Sequence, residues 1–461
     1  MTFWDDYRDT ILLALSVAGL VWYLAMWSIG LLGCWAARRR YRLRPRSPLA
    51  NATSAPGVSV LRPLKGLDTN LYENLESTFT QEYPNYEIIF SVADEGDQAL
   101  PIVIDLVSKY PQVNATVIVG EEVVGVNPKV NNLVRAYRQA ANDILWVLDS
   151  NVMIHPGTMA RGVDVLTCPP PPNSSSSHRR VGLVHHVPFA FANETKIGSR
   201  IEEAFLNTNH AKMYIAINTV AIESCVVGKS NLYRRSDIDR VTGSLETISS
   251  DTSGSSQSAE CGLPAFGRFL AEDNMIASAL WHELGLRHEL SCDVVRNVVG
   301  NMSLSDYIRR RVRWIRVRKH MVLVATLLEP FTEAVVLSIM ASTSLRHLFG
   351  VPLWISLLLH FPLWLSVDLD VYASLAGHPL PAALRWEFIA AWAAREFLAL
   401  PIYMLAIFGS EVVWRGNRYQ VLRNGEVRRA TSGRFGSWLR QYTRSKSMKD
   451  YEPLETQPSS D

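Results

Sequence analysis

Two long apolar regions, one near each end of the chain, enclose a middle part in which short apolar runs alternate with polar stretches. Residues 11–35 contain no charged side chain, and a helix needs about 20 apolar residues to cross a bilayer. This segment is therefore predicted to be a transmembrane anchor. Residues 37–46 are strongly basic and residues 1–10 slightly acidic, so the positive-inside rule places residues 1–10 in the lumen.

The second apolar region, 321–410, is predicted to be embedded in the membrane. Two of its stretches, 349–367 and 388–409, are long enough to span it. Residues 321–341 are interrupted by two glutamates and a proline, which favours a re-entrant or interfacial segment. Two full spans would leave the basic tail, 411–461, in the cytosol.

The middle of the chain, 50–310, is predicted to be a cytosolic α/β domain. Runs rich in valine and isoleucine alternate with segments of helical spacing, which indicates a mostly parallel sheet. The predicted strands are 57–64, 86–94, 115–120 and 142–150. Two stretches, 168–180 and 244–262, are rich in serine or proline, lack apolar periodicity and are predicted to be exposed insertions.

Acidic side chains follow two of the predicted strands. Asp94 ends FSVAD and Asp149 follows LWVL. Ligands bind outside the carboxyl ends of strands in sheets of this kind, so these aspartates are candidate site residues. An aspartate after a strand is more often a turn or helix-cap residue than a catalytic one, and Asp149 is the better placed of the two because it follows a strongly apolar strand.

Overall charge excludes a dedicated nucleic-acid binder. Among 461 residues, 46 lysines and arginines nearly balance 44 acidic residues, and a nucleic-acid-binding domain usually carries a clear basic excess. The five cysteines form no CxxC pair, so neither a zinc site nor a disulfide framework is predicted.

The basic run RRRVRWIRVRK, residues 309–319, precedes the second apolar region. If 306–319 is helical, one face carries Arg310, Arg313, Trp314 and Val317. Arg309, Arg316 and Lys319 then point elsewhere and are expected to contact anionic lipid. The segment is predicted to be an interfacial amphipathic helix whose first face closes a pocket.

Asp94, Asp149, Asp273 and RRVRW at 310–314 together resemble the D, D, D, (Q/R)xxRW signature of membrane-bound inverting glycosyltransferases with the GT-A fold. Arginine at the first position of the last motif is more similar to ceramide glucosyltransferases than to polysaccharide synthases. The resemblance extends from about residue 58 to 420 and includes LRPLKGLDTNLYENLES, VGVNPKVNNL, VGLVHHVPF, CVVGKSNLYRR, AEDN and WRGNRY.

The resemblance implies transfer of glucose from UDP-glucose to the primary hydroxyl of ceramide, with inversion, at the cytosolic face of a Golgi or endoplasmic reticulum membrane. It implies that Asp94 contacts the nucleotide, that Asp149 binds a divalent cation (Mg²⁺ or Mn²⁺) and that Asp273 is the catalytic base. The sequence DSN lacks the second aspartate of a DxD motif, so metal binding rests on one carboxylate.

The same resemblance implies further substrate-binding positions. Arg310, Arg313 and Trp314 would hold the diphosphate and the acceptor. Lys65, Lys129 and Asn131 are secondary donor-site candidates, although Lys129 is equally compatible with a surface position on a helix. For His185 and Cys225, buried packing and substrate contact remain equal alternatives.

Three other functions compete with this interpretation. A processive polysaccharide synthase shares the motif but needs more spans for a polymer channel. A dolichol-phosphate sugar transferase lacks the xxRW element. A non-catalytic scaffold with a basic lipid-binding face would tolerate the loss of Asp273, whereas a transferase would not.

Overall fold

A computed structural model describes residues 3–169, 179–192, 196–243, 261–414, 417–422 and 424–429. The two predicted insertions, 168–180 and 244–262, fall largely outside these ranges. The chain begins with helix α1 (Phe3–Tyr41), which contains the predicted anchor and extends through the basic residues after it. The 3₁₀ turn Pro48–Asn51 then leads into the α/β domain.

The α/β domain is built on an eight-stranded, mixed sheet. Its strands are β1 (Val58–Leu64), β2 (Tyr86–Val92), β3 (Asn114–Val119), β4 (Ile144–Leu148), β5 (Val152–Met153), β6 (Val181–Ala192), β7 (Ser230–Arg234) and β8 (Arg287–Val299). Their order is β3-β2-β1-β4-β7-β6-β8-β5. β1 pairs in parallel with β2 and β4, β2 with β3, and β6 with β8. The mostly parallel α/β sheet expected from the sequence is confirmed, and β1 to β4 are the four predicted strands.

Helices cover this sheet and connect its strands. They are α2 (Leu71–Phe79), α3 (Leu100–Lys109), α4 (Pro128–Gln139), α5 (Thr158–Thr167), α6 (Ile197–Phe205), α7 (Ala211–Val220), α8 (Arg235–Ile238) and α9 (Glu272–His282). A π-helical turn, Leu206–His210, joins α6 to α7, and a 3₁₀ turn, Leu263–Arg268, precedes α9.

The carboxy-terminal part of the described chain is helical and ends in a small sheet. Its elements are α10 (Leu304–Arg318), α11 (Leu323–Leu328), α12 (Ala334–Phe349), α13 (Leu353–Ala376), α14 (Arg385–Ile407), β9 (Glu411–Trp414), β10 (Asn417–Val421) and β11 (Val427–Arg429). Three described helices, within Tyr7–Tyr41, Leu353–Ala376 and Ala382–Ile407, are long and apolar enough to cross a membrane. Leu323–Thr332 and Ala334–Phe349 form a pair bent by 65°, at the place where the sequence predicts an interrupted segment.

Charged residues inside the apolar region face other protein groups. Arg395 on α14 is 2% exposed and lies 2.7 Å from Glu333 and 2.8 Å from Glu396. Such charges are costly in lipid unless they are paired, which explains why they lie between helices.

A second buried pair joins the α/β domain to the membrane helices. The ammonium of Lys212 on α7 lies 2.7 Å from Oδ1 of Asp368 on α13, and both side chains are fully buried. The same ammonium lies 3.8 Å from the ring centroid of Trp364. A Cβ on Gly33 of α1 would lie 2.2 Å from the Lys212 carbonyl oxygen, so only glycine permits this approach of α1 to α7.

The small sheet β9 to β11 packs on the α/β domain and on α10. Its buried residues are Val412, Tyr419, Val421 and Val427, and Val126, Leu270 and Val317 pack against them. Glu426 also forms a β-bridge with Phe269. The end of the last long helix is thereby held beside the loop that leads into α9.

Candidate active site

Polar side chains gather at the carboxyl ends of the parallel strands. Lys65 follows β1 and Asp149 follows β4 directly, and Lys229 immediately precedes β7, which runs antiparallel to β4. The start of α4 and the start of α9 reach the same edge, because Lys129 contacts both Asp149 and Asp273. Two of the three aspartates predicted from the sequence therefore converge.

Lys129 is the centre of this convergence. Its Nζ lies 3.1 Å from Oδ1 of Asp149, 2.8 Å from Oε1 of Glu272 and 3.0 Å from Oδ2 of Asp273. Burial alone would lower the pKa of Lys129, but the three carboxylates outweigh burial and raise that pKa well above its ordinary value. The ammonium therefore stays charged, and with 15% of the side chain exposed Lys129 is a largely covered cation among acids.

Asp149 is held between two ammonium groups. Its second oxygen, Oδ2, lies 3.0 Å from Nζ of Lys229, which also donates to Oδ1 of Asn151 at 2.9 Å. Burial acts to raise the pKa of Asp149, yet Lys129 and Lys229 lower it to about 2. The carboxylate is therefore ionised at any physiological pH.

Asp273 is positioned from several directions. Asn231 on β7 donates to its Oδ1 at 3.1 Å, while Lys129 holds Oδ2. A Cβ on Gly228 would lie only 1.8 Å from Oδ2, so a glycine is required where this loop passes the carboxylate. The adjacent Glu272 is buried, and burial followed by the charge of Asp273 raises its pKa.

The beginning of α4 is locked to the beginning of α9. Asn127 caps α4, accepting from the backbone N–H of Lys129 at 2.8 Å. Its amide nitrogen donates to the Phe269 carbonyl and to Oε2 of Glu272, both at 2.7 Å. An N-cap of this kind stabilises a helix by about 1 kcal/mol, and here it also fixes the direction in which Lys129 leaves the helix.

Asp94 and Lys65 lie at the exposed end of the same edge. Both are exposed, and Asp94 accepts from the Gly96 N–H at 3.0 Å within its own loop. Neither contacts the Lys129 cluster in the described part of the chain; their place at the strand ends is open to a ligand.

Asn131 is committed to its loop. Its Oδ1 accepts from the N–H groups of Val124 and Gly125, both at 3.1 Å. Its Nδ2 donates to the Gly125 carbonyl at 3.0 Å. The side chain shapes the loop before α4, a structural role that the sequence resemblance did not indicate.

His185 and Cys225 lie on the side of the site that faces the membrane helices. His185 is buried on β6, and its Nδ1 is hydrogen-bonded to the hydroxyl of Tyr214. Burial, followed by the charge of His288, keeps the pKa of His185 well below its ordinary value, so the ring is neutral. Cys225 is half-buried, and burial raises the pKa of its thiol to about 11, which keeps it protonated.

The basic run forms α10, as predicted, and its second arginine, Arg310, is fixed by a buried acid. Nε of Arg310 lies 2.8 Å from Oε1 of Glu202, and its guanidinium lies 4.8 Å from the centroid of Trp314. Arg313 and Trp314 are half-buried. Arg311 is buried, with its guanidinium 3.8 Å from the ring of Phe205.

A continuous set of contacts joins α10 to the carboxylates. The ring of Trp314 lies 6.5 Å from that of His210, which stacks on Tyr214 at 5.6 Å. The Tyr214 hydroxyl accepts from the N–H of Val227 at 2.9 Å, the neighbour of Gly228 beside Asp273. Packed side chains therefore connect the helix to the loop beside Asp273, while Arg310 and the aspartates make no direct contact among the described residues.

The expectation that the remaining cations of α10 face lipid is wrong for Arg316 and Lys319. Arg316 donates to the carbonyls of Leu405 at 3.1 Å and Glu411 at 2.7 Å, and Lys319 donates to that of Ile407 at 2.9 Å. Cations near a helix carboxyl terminus bind its free carbonyls, and the end of α14 supplies them here. Arg309 is exposed, and its contact with anionic lipid stays a prediction.

Several residues of the site were missed from the sequence. They are Glu202, His210, Tyr214, Lys229, Asn231 and Glu272. Lys229 and Asn231 stand within GKSN and Glu272 stands beside Asp273, so their positions could have been flagged. No local signal marks Glu202, since its partner is 108 residues away.

For a metal ion at this edge of the sheet, the suitable ligand among the described residues is the carboxylate of Asp149. No group of three or more metal-binding side chains occurs among the described residues. Asp149 offers carboxylate oxygens, which Mg²⁺ and Mn²⁺ prefer, and Mg²⁺ is commonly held by one or two carboxylates together with substrate phosphates. The residues present therefore fit a cation that takes its other ligands from a diphosphate.

Comparison with known proteins identifies the family. The model of glycosyl transferase family 21 matches residues 20–251 and 257–427. A ceramide glucosyltransferase of Komagataella phaffii is 34% identical, with 88% of this chain and 90% of that protein covered. The ceramide glucosyltransferase of Candida albicans is 31% identical, with 88% and 96% covered.

Among solved structures, a mannosyltransferase from Pyrobaculum calidifontis in complex with GDP-Man and Mn²⁺ is 19% identical, with 86% of this chain and 97% of that chain covered and a TM-score of 0.42. The family match covers most of the chain, including the carboxylates, Lys129 and the basic helix. The chain belongs to glycosyl transferase family 21.

Proposed function

We propose that this membrane enzyme transfers glucose from UDP-glucose to the primary hydroxyl of ceramide and forms β-glucosylceramide. Family membership supports a glycosyltransferase, and relatives of nearly full length are ceramide glucosyltransferases. The observation that carries the proposal is the convergence of Asp149 and Asp273 on Lys129, at a sheet edge joined to the membrane helices. A site for a soluble nucleotide thereby lies beside the place of a lipid acceptor.

Asp273 is the proposed general base. It removes the proton of the ceramide hydroxyl while that oxygen forms a bond to C1 of glucose, and the bond from C1 to the phosphate oxygen breaks with its electron pair leaving on UDP. A single displacement of this kind inverts the anomeric centre. Asn231 and Lys129 fix the carboxylate, and a positioned base contributes about 10²–10⁴-fold to the rate.

The second requirement of the reaction is to stabilise the negative charge that develops on the departing UDP. Lys129 and Lys229 provide two ammonium groups at the strand ends, and fixed cations stabilise charge that develops in the transition state. A divalent cation, Mg²⁺ or Mn²⁺, bound through Asp149 would neutralise further charge on the diphosphate. Asp94 and Lys65 are proposed to contact the nucleotide at the exposed end of the edge.

The basic helix α10 is proposed to hold the diphosphate and the acceptor through Arg310, Arg313 and Trp314. Glu202 fixes Arg310, and Trp314 connects through His210 and Tyr214 to the loop beside Asp273. Ceramide stays in the bilayer because exposing its chains costs about 0.8 kcal/mol per methylene. Its headgroup therefore has to be met at the membrane surface.

The catalytic domain is proposed to face the cytosol, in the Golgi or endoplasmic reticulum membrane. The packing of β9 to β11 against Val126 and Leu270 supports an even number of crossings between α10 and β9. Two spans, α13 and α14, with the bent pair α11–α12 re-entrant, satisfy that requirement. Membrane lipids are then partners of the apolar helices.

The test is a reaction panel with the purified full-length protein in lipid nanodiscs. UDP-glucose, UDP-galactose and UDP-N-acetylglucosamine are each offered with ceramide, diacylglycerol or a sterol, and products are identified by mass spectrometry and their anomeric configuration by NMR. The expected product is β-glucosylceramide from UDP-glucose and ceramide. A polymer, a glucosylated sterol or an absence of hexosylceramide would contradict the proposal.

A further inference from the structure

Lys129 lies among three carboxylates of the site. Its Nζ is within 3.1 Å of carboxylates from Asp149, Glu272 and Asp273. These acids come from two separate elements, the end of β4 and the first turn of α9. Like charges brought this close repel one another unless a cation lies between them, and Lys129 is that cation.

The ammonium is held on a rigid support. Lys129 stands in the first turn of α4, where Asn127 accepts from its backbone N–H and also donates to Glu272. Its side chain is 15% exposed. A lysine held at both its backbone and its ammonium cannot leave the carboxylates without gaining a new anionic partner.

A divalent cation and this ammonium compete for the same oxygens. Oδ1 of Asp149 is taken by Lys129 and Oδ2 by Lys229, so both oxygens of the proposed metal ligand already face a positive charge. Two cations sharing one carboxylate repel each other strongly at such distances. A diphosphate adds negative charge and can accept an ammonium, which removes this obstacle.

We propose that Lys129 is a resident counter-ion that occupies the acidic site in place of a divalent cation until the diphosphate of the donor binds. The metal then binds together with the nucleotide and not before it, while Lys129 turns from Asp149 towards the phosphates. This inference rests on the proposed function, because it takes Asp149 as the metal ligand. It assigns Lys129 control over the order in which cation and donor bind.

The test measures Mn²⁺ binding by the full-length protein in nanodiscs, using the electron paramagnetic resonance signal of free Mn²⁺, with and without UDP. Wild-type protein is expected to bind Mn²⁺ weakly alone and about tenfold or more tightly with UDP, a coupling of ordinary size. Lys129→Met is expected to bind Mn²⁺ alone about tenfold more tightly than wild type, because the repulsion from the competing ammonium is gone. Lys129→Arg, which keeps the charge, should behave as wild type.

Two further proteins make the result decisive. Lys109→Met removes an exposed lysine paired with Glu76 on another face and should leave Mn²⁺ affinity unchanged. The double variant Lys129→Met/Glu272→Gln keeps the net charge of the cluster, so it tests the same prediction if the single variant does not fold. Its affinity for Mn²⁺ alone should also rise.

Mn²⁺ affinity equal to wild type in folded Lys129→Met and in the double variant would overturn the counter-ion role, even if β-glucosylceramide is formed. Equal affinity of the wild type with and without UDP would overturn it as well. Failure of the wild type to form β-glucosylceramide would instead overturn the proposed function, and the reaction panel reports that separately.

Discussion

Nε of Arg310 lies 2.8 Å from Oε1 of Glu202, and this glutamate side chain is only 1% exposed. The pair joins α10 to the end of α6 and holds the arginine against Trp314. A buried carboxylate that loses its cation leaves an uncompensated charge. Arg310 is therefore a structural partner of Glu202 as well as a candidate for phosphate binding.

Arg310→Ala is expected to lower the free energy of unfolding by about 2 kcal/mol, since a hydrogen bond to a charged group is lost and Glu202 stays buried. Glucosyl transfer should fall with it. Arg309→Ala is the matched control, because Arg309 is exposed and its ion pair among the described residues is with Asp306 one turn away; its effect should stay within about 0.5 kcal/mol. Thermal unfolding in nanodiscs measures both, and equal effects would contradict the role of Glu202.

Asp273→Asn is expected to reduce glucosyl transfer by about 10²-fold or more, because the amide cannot accept the proton of the acceptor. Membrane insertion and UDP binding should persist. Asp105→Asn, an equivalent change at an exposed position of α3, should leave turnover unchanged. Turnover of Asp273→Asn at the wild-type rate would refute the assigned base.

Gly228→Ala is expected to displace the carboxylate of Asp273, since the added Cβ would lie 1.8 Å from its Oδ2. The rate constant kcat should fall more than the affinity for UDP-glucose, because the proposed base moves while the proposed nucleotide contact at Asp94 stays. Gly162→Ala is the control: its nearest neighbour would lie 3.4 Å away, an ordinary contact. Steady-state kinetics separates the two effects, and an unchanged kcat in Gly228→Ala would show that the loop can give way.

Because His186 is buried, we expect the protein to lose stability in mild acid. The pKa of His186 is lowered by burial from 6.5 to about 4 in the folded chain, although Asp293 partly opposes this. Between these values the unfolded chain takes up a proton that the folded chain does not, so stability decreases as pH falls from about 6.5 to about 4. One pKa unit corresponds to about 1.4 kcal/mol, which gives a loss of up to about 3 kcal/mol.

Unfolding temperatures measured across this pH range test the histidine prediction. His186→Gln should show a shallower loss of stability in acid than wild type. His282→Gln, which changes an exposed histidine paired with Glu223, should retain the wild-type slope. Identical slopes for all three proteins would assign the acid sensitivity to other groups.

The chain contains five N-x-S/T sequons, which start at Asn51, Asn114, Asn173, Asn193 and Asn301. Asn51, Asn114 and Asn301 are exposed, and the other two lie outside the described residues. In a lumenal domain several would carry glycans; because the domain is proposed to be cytosolic, none is expected to. Endoglycosidase treatment should cause no mass shift, whereas a sequon-bearing tag fused before Met1 should be modified. A shift in the untagged protein would contradict the topology.

The sequence was sufficient for elements whose signal is local. Valine- and isoleucine-rich runs located β1 to β4, and the position of Asp149 after β4 followed from them. The periodicity of α10 was also correct, but a helical pattern does not say how the helix is rotated against its neighbours. Arg311, for example, is buried against Phe205, and the spacing of apolar residues could not predict this.

Long-range partners account for what the sequence did not reveal. Lys319 binds a carbonyl 88 residues further along the chain, and Lys129 meets carboxylates 20, 143 and 144 residues away. Such pairs depend on how the sheet and the membrane helices come together. Asn131 is the opposite case. It stands in a stretch that resembles the family, yet its side chain is hydrogen-bonded to its own loop.

The Lys212–Asp368 pair limits where the chain can be truncated. The ammonium of Lys212 belongs to the α/β domain, while its carboxylate partner Asp368 and the covering Gly33 belong to helices in the apolar regions. A truncated fragment without those helices would expose the apolar side chains of α6 and α7 that pack against them, among them Ile201 and Ile215. Expression of the sugar-transferring half as a free-standing, water-soluble protein is therefore expected to give aggregates, and biochemical work has to retain the anchors.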